Sequence, residues 1–158
     1  MAVEAVPKGY HTITPYMTVR DAARAIEFYK QAFGAVEKGV SKTPDGKIMH
    51  AELRIGDSII MLADEFPQFG ALSPQTTGGT GMGLHIYIED VDSAFDRAVK
   101  AGATVEMPVA DMFWGDRYGK LADPFGHKWS IGTHKEDLTM EEMERGMKAM
   151  MKDMPKSA

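Results

Sequence analysis

His50, Glu52 and Arg54 recur at every second position, so a strand carrying them would present a base, a carboxylate and a cation on one side. His85 and Tyr87 repeat that spacing later in the chain. Such groups suit proton transfer, with His50, Glu52 or His85 as the base and Arg54 or Arg117 steadying an anion. His50, Glu52 and His85 together also make a two-His, one-carboxylate set that a transition ion would accept. A plainer reading pairs His50 with Glu52 as the hydrogen-bonded polar lining of a ligand cavity, with no metal and no catalysis. In the run Met112-Phe113-Trp114-Gly115-Asp116-Arg117-Tyr118, a planar ligand would stack on Trp114 and an anionic group would meet Arg117. The same run would serve equally as an ordinary lid or a dimer contact.

Other chemistries lack their residues. The chain has no cysteine, which removes thiol nucleophiles, disulfides, Cys-ligated zinc and iron-sulfur clusters. It has no G-x-S-x-G, Walker or H-E-x-x-H motif, and the Gly-rich run ending at Gly83 lacks the preceding strand that a phosphate loop needs. Its 18 basic and 23 acidic side chains give a net charge of -5, the wrong sign for a phosphate-backbone binder. No basic, apolar leader opens the sequence and no run approaches the ~20 apolar residues of a membrane span. The expectation is one cytoplasmic globular domain of 158 residues with no nucleic-acid or membrane partner.

The elements that must position these residues follow from periodicity. Residues 13–19 read as a strand, and Asp21 opens a helix whose apolar positions Ala22, Ala25, Ile26, Tyr29 and Phe33 keep helical spacing until Gly34. Strands follow at 36–41, 48–55 and 58–63, joined by turns at 43–46 and 56–57. Residues 64–81, rich in Gly, Pro and Thr, read as a flexible connector. The pattern then restarts, with a strand at 84–88, a helix from Asp90 to about Gly102, and strands at 104–109, 117–122 and 128–133. At an offset of 69 residues Asp21 meets Asp90, Ala25 meets Ala94, Val36 meets Val105 and Glu37 meets Glu106, which reads as a duplication.

Alternation sorts the strands into two faces. Met17, Val19, Ile60, Leu62, Leu84, Ile86, Ile88, Trp129 and Ile131 form an apolar face for the helices, joined by Met49, Ala51, Leu53 and Ile55. Thr14, Tyr16, Thr18, Ile59, Met61, Ala63, Gly83, His85, Tyr87, Ser130 and Gly132 form a mixed face, shared with His50, Glu52 and Arg54. A concave sheet with that second surface makes a partly polar small-molecule cavity, whose candidate ligand contacts are Tyr16, Arg54, Met61, Tyr87, Trp114, Arg117 and Ser130. His11, His127 and His134 fall at strand ends or turns and are expected to be solvated.

These paired units resemble the glyoxalase/bleomycin-resistance/dioxygenase (vicinal oxygen chelate) superfamily. The carrying residues are Val19-Arg20-Asp21-Ala22, Phe28-Tyr29 and Phe33-Gly34 in the first half, then Ile88-Glu89-Asp90-Val91-Asp92 and Ala101-Gly102-Ala103. Asp123-Pro124-Phe125-Gly126-His127 completes the set, and the wording 25–29 is closest to the PhnB-like branch. The resemblance implies an α+β fold of two βαβββ modules, a concave mixed sheet with helices on its convex side. It implies modules at about 11–64 and 82–134 with a linker at 65–81, in a domain covering 1–135. In the family's metal enzymes the ligands sit at the positions held here by Thr14, Met61, Gly83 and Ser130, none of them a usual ligand for a divalent ion. The expectation is therefore a small-molecule binding protein with no cofactor, a homodimer by resemblance. The alternative is an enzyme of lyase, isomerase or dioxygenase type, using a displaced His/Glu metal site or metal-free acid/base catalysis.

Residues 136–158 read as an amphipathic helix beyond the core unit, with Thr139 as N-cap, Glu142 as its reciprocal partner and a stripe of Met140, Met143, Met147, Met150 and Met154. Such a stripe docks on the protein's own body or on a partner subunit.

Overall fold

A computed structural model describes residues 2–155. Strand β1 (Tyr16–Val19) leads into helix α1 (Ala22–Phe33), and strands β2 (Val36–Lys42), β3 (Ile48–Ile55) and β4 (Ser58–Asp64) complete the first unit. A 3-10 turn (Pro67–Phe69) and the short helix α2 (Pro74–Thr77) cross to the second unit. There β5 (Gly83–Tyr87), α3 (Val91–Ala101), β6 (Thr104–Asp111), β7 (Asp116–Ala122) and β8 (Lys128–His134) repeat the order, and α4 (Met140–Lys152) follows. The sheets run β1-β4-β3-β2 and β5-β8-β7-β6, each with one parallel pair, β1 with β4 and β5 with β8.

The 69-residue offset reaches individual hydrogen bonds. Asp21 and Asp90 each cap a helix, accepting from the amides of Arg24 and Ser93. One residue further, the Ala22 amide donates to Asp64 at 2.8 Å and the Val91 amide to Thr133 at 3.0 Å, again 69 residues apart in both partners. The helices pack on the apolar faces in one core that includes Tyr29, Phe33, Leu53, Leu62, Phe95, Leu121, Trp129 and Ile131. Tyr29 of α1 donates to the buried Asp123 carboxylate at 2.6 Å, and Trp129 donates to the same oxygen at 2.8 Å, so the two units share a polar anchor inside the core.

Several sequence expectations give way. The first strand starts at Tyr16 rather than 13, because Pro15 has no amide to extend the ladder, although its carbonyl accepts from Met61 at 2.8 Å. Met49 is exposed and Ile48 buried, the reverse of strict alternation, because the pairing of β2 with β3 skips Met49 in a bulge. Ile59 and Ala63, placed on the mixed face, are buried. The connector read as flexible is tied down: the Glu65 carboxylate accepts from the Ser73 amide at 2.7 Å and from the Thr76 hydroxyl. Those two donors hold the Glu65 carboxyl down at about 2. His127, expected to be solvated, bonds the Thr18 carbonyl at 2.9 Å through Nε2 and so joins the two units.

Helix α4 starts with the expected capping box between Thr139 and Glu142. It rests on the 112–115 turn through Gly146, where a Cβ would stand 2.7 Å from the Phe113 Cβ. Among the described residues the methionine stripe is only partly covered: Met143 is half-buried, and Met140, Met147, Met150 and Met154 are exposed.

Candidate functional site

Two clusters arise on the mixed faces, one in each unit. In the first, the alternation of β3 puts His50 and Glu52 on one side and β1 brings Tyr16 beside them. The His50 Nε2 lies 3.1 Å from a Glu52 oxygen, and its Nδ1 lies 2.9 Å from the Tyr16 hydroxyl. A carboxylate only accepts, so Nε2 donates to it, and in the neutral imidazole Nδ1 accepts from Tyr16. The other Glu52 oxygen accepts from Tyr10, which arrives from the N-terminal segment. The Tyr10 and His50 donors hold the Glu52 carboxyl below the usual carboxylate range. A recess of about 310 Å³ adjoins it, lined by Val6, Pro7, Tyr10, Thr14, Glu52 and Met61. Arg54 points away to cap its own turn, donating to the Gly56 carbonyl at 2.8 Å.

In the second unit the imidazole of His85 on β5 bonds the Ser130 hydroxyl of β8 at 2.7 Å. Its ring stacks on Tyr118 (centroids 5.7 Å, interplanar angle 22°) and meets Tyr87 edge-on at 4.5 Å. Trp114 sets its ring edge-on to Tyr118 at 5.3 Å. The close approach of His85 depends on Gly132, where a Cβ would stand 3.2 Å from the imidazole. Burial pushes the His85 imidazole below its ordinary value, which keeps it neutral at pH 7. Behind the rings sits the buried carboxylate of Asp116, accepting from Trp114 Nε1 at 3.0 Å and from Tyr87 at 3.4 Å, with His134 Nδ1 at 2.7 Å. The recess in front is about 370 Å³, with His85, Tyr118, Lys120 and Ser130 in its lining.

Arg117 does not stand at this mouth. On β7, Tyr118 and Lys120 face the recess while Arg117 faces α3, where Asp92 holds its guanidinium at 2.7 and 2.8 Å and Asp111 of β6 at 3.1 Å. Those carboxylates raise its pKa and occupy its donors. Glu52, with His50 bonded to it, borders one recess and His85 another, so the single shared cavity expected from the faces resolves into two. Between the units a larger apolar cleft of about 580 Å³ opens, lined by Ile59, Ile60, Leu84, Ile86, Tyr87 and Trp129 among others. Alternation assigns most of these to the core, and no local signal in the sequence marks the cleft.

The donor chemistry of the four positions implied for a metal does not suit a divalent transition ion. Thr14 and Ser130 offer neutral hydroxyls, Met61 a thioether and Gly83 no side chain. The Ser130 hydroxyl is already bonded to His85. Among the described residues, no three His, Asp or Glu side chains converge to hold an ion. Among them also, no helix is long and apolar enough to cross a membrane.

Two βαβββ units with ligand-sized recesses on the mixed faces of their sheets define the class, and comparison with known proteins agrees. The chain belongs to the Glyoxalase/Bleomycin resistance protein/Dioxygenase superfamily, whose family model matches residues 10–131. An uncharacterised protein of Mycobacterium tuberculosis is 45% identical over 150 residues, covering 93% of this chain and 86% of that one. The solved structure of an Arabidopsis thaliana gene product superposes with a TM-score of 0.63 at 28% identity, covering 77% of this chain and 97% of that one. The PhnB protein of Bacillus cereus shares the fold, with a TM-score of 0.61 at 19% identity over 78% of this chain and 99% of that one.

Proposed function

We propose that this protein binds a small planar organic molecule against the ring wall of His85, Tyr87, Tyr118 and Trp114, and does so without a metal ion. The observation that carries this reading is the wall itself. Of its four rings, held by Asp116 and Ser130, His85 and Tyr118 border an open recess instead of filling a core, with Tyr87 packed edge-on against His85 and Trp114 against Tyr118 beside it. Ser130 and the neutral His85 supply hydrogen bonds at its floor, and Lys120 a cation at its rim. Met61 and Glu52 line the companion recess of the first unit, with His50 bonded to Glu52 and Tyr16 to His50 beside it. The same proposal includes a homodimer, supported by the exposed methionines of α4, and a cytoplasmic setting, supported by a chain that carries no cysteine.

A ligand found by screening should shift Trp114 emission, a signal absent in Trp114→Phe, while the buried Trp129 stays silent. Trp114→Ala should weaken binding roughly tenfold, about 1.4 kcal/mol, and a chelator should change nothing. About one transition ion per chain, lost on His85→Ala, would overturn the metal-free part. A monomer mass by light scattering at micromolar concentration would overturn the dimer. One geometry favours a second reading, metal-free acid/base catalysis: Glu52 fixes the His50 tautomer and leaves Nδ1 facing Tyr16. Glu52→Gln separates the two, since an enzyme using that carboxylate keeps affinity and loses turnover, whereas a binder has no turnover to lose.

A further inference from the structure

Residues 2–15 form neither helix nor strand, yet between Ala5 and Thr14 they supply most of the lining of the first-unit recess, laid over Glu52 and Met61. As far as Thr14 the bonds made by the segment's backbone are local, from the Tyr10 amide to the Pro7 carbonyl at 3.0 Å and from the Thr14 hydroxyl to the His11 carbonyl at 3.4 Å, before the Pro15 carbonyl meets the Met61 amide of β4. Its contact with the site is the phenol of Tyr10, which donates to Glu52 across 42 residues of sequence. Above the Tyr10 ring stands Lys38, its Nζ 5.7 Å from the centroid. Of the two partners of Glu52, His50 is anchored in β3 and tied to Tyr16, so Tyr10 is the one that can leave.

The surroundings restrict what can replace it. A carboxylate or phosphate would be repelled by Glu52, and an ammonium group would have to sit beside Lys38. An ether or ketone has no proton for an oxygen that only accepts. A neutral aromatic ring carrying a hydroxyl meets all three requirements and keeps the contact between cation and ring face.

We propose that Tyr10 is an internal stand-in for the ligand of this recess, and that the ligand is a phenol, which displaces Tyr10 from Glu52 and lies under Lys38. This rests on the reading that the mixed faces hold a small organic molecule, and it names the ligand class for the first-unit half. The N-terminal segment is then a strap that closes the empty site and swings out when a phenol binds.

The test uses the full chain, p-cresol as probe and 4-methylanisole as the matched compound without a donor. Backbone amide shifts at His50 and Glu52 are followed by NMR, with Trp114 emission recorded in the same titration. Removing the internal competitor in Tyr10→Ala should tighten p-cresol binding about tenfold or more, the worth of one hydrogen bond to a charged group. Tyr10→Phe, which keeps the ring and loses the donor, should fall between that variant and the parent. On Tyr10→Ala, p-cresol should bind about tenfold tighter than 4-methylanisole, and a further Glu52→Ala should abolish the preference. Equal binding of p-cresol to parent and Tyr10→Ala, or equal binding of the two compounds, overturns the assignment. A change in Trp114 emission alone, independent of Tyr10, also overturns it and leaves the recess at His85 standing.

Discussion

Replacing Asp123 should cost more stability than any surface charge, because its carboxylate serves four donors in a place water does not reach. One oxygen accepts from the Phe125 and His127 amides at 2.9 Å each, which closes the turn between β7 and β8. The other accepts from Tyr29 and Trp129, at 2.6 and 2.8 Å, which joins α1 to the second sheet. Asp123→Ala leaves the Tyr29 hydroxyl and the Trp129 N–H buried without partners, at about 1 to 3 kcal/mol each. A loss of about 3 to 5 kcal/mol follows, roughly 6 to 20 °C in Tm for a chain of this size. Asp123→Asn separates the two roles, since its oxygen can keep the turn while its amide faces the Trp129 N–H, donor against donor. Tyr29→Phe alone should cost about 1 to 2 kcal/mol, and almost nothing on top of Asp123→Ala, where the hydroxyl is already orphaned. Urea unfolding followed by far-ultraviolet circular dichroism measures all four. A loss below about 1 kcal/mol for Asp123→Ala, or strict additivity with Tyr29→Phe, would refute the reasoning.

His134 lies between Asp137 and Asp116, whose hydrogen bonds raise its pKa above 6.5, so its stabilisation is complete below the unfolded value and lost as pH rises through the folded one. The Tm gap between parent and His134→Gln should therefore be largest near about pH 5.5 and close by about pH 9, and a gap that grows with pH would contradict the pairing. Arg117→Ala removes a partly exposed clasp between β7, α3 and β6. It should lower Tm slightly, less so at high salt, and leave ligand affinity unchanged. An affinity loss like that of Trp114→Ala would put Arg117 back at the recess.

Features set by local chemistry can be read directly along the chain. Asp21 and Asp90 cap helices because a short carboxylate reaches amides three residues on, and Gly34 ends α1 because it adopts φ 65° without penalty. The capping box at Thr139 and Glu142, the alternation in β5 and β8, and the repeat at 69 residues are visible for the same reason: each is written within one element or copied between two. His50 beside Glu52 and His85 beside Tyr87 follow from alternation, which placed each pair on one face. Which recess Glu52 and His85 each border was set by packing, because it depends on how two sheets meet. Packing turned Arg117 to α3, where Asp92 waits 25 residues away in the chain, and shifted Met49 outward through a bulge set by the pairing of β2 with β3. It also brought Tyr10 to Glu52 and His127 to Thr18 across 42 and 109 residues. Contacts of that kind leave no periodic trace, since the partners are matched by the path of the backbone and not by their spacing.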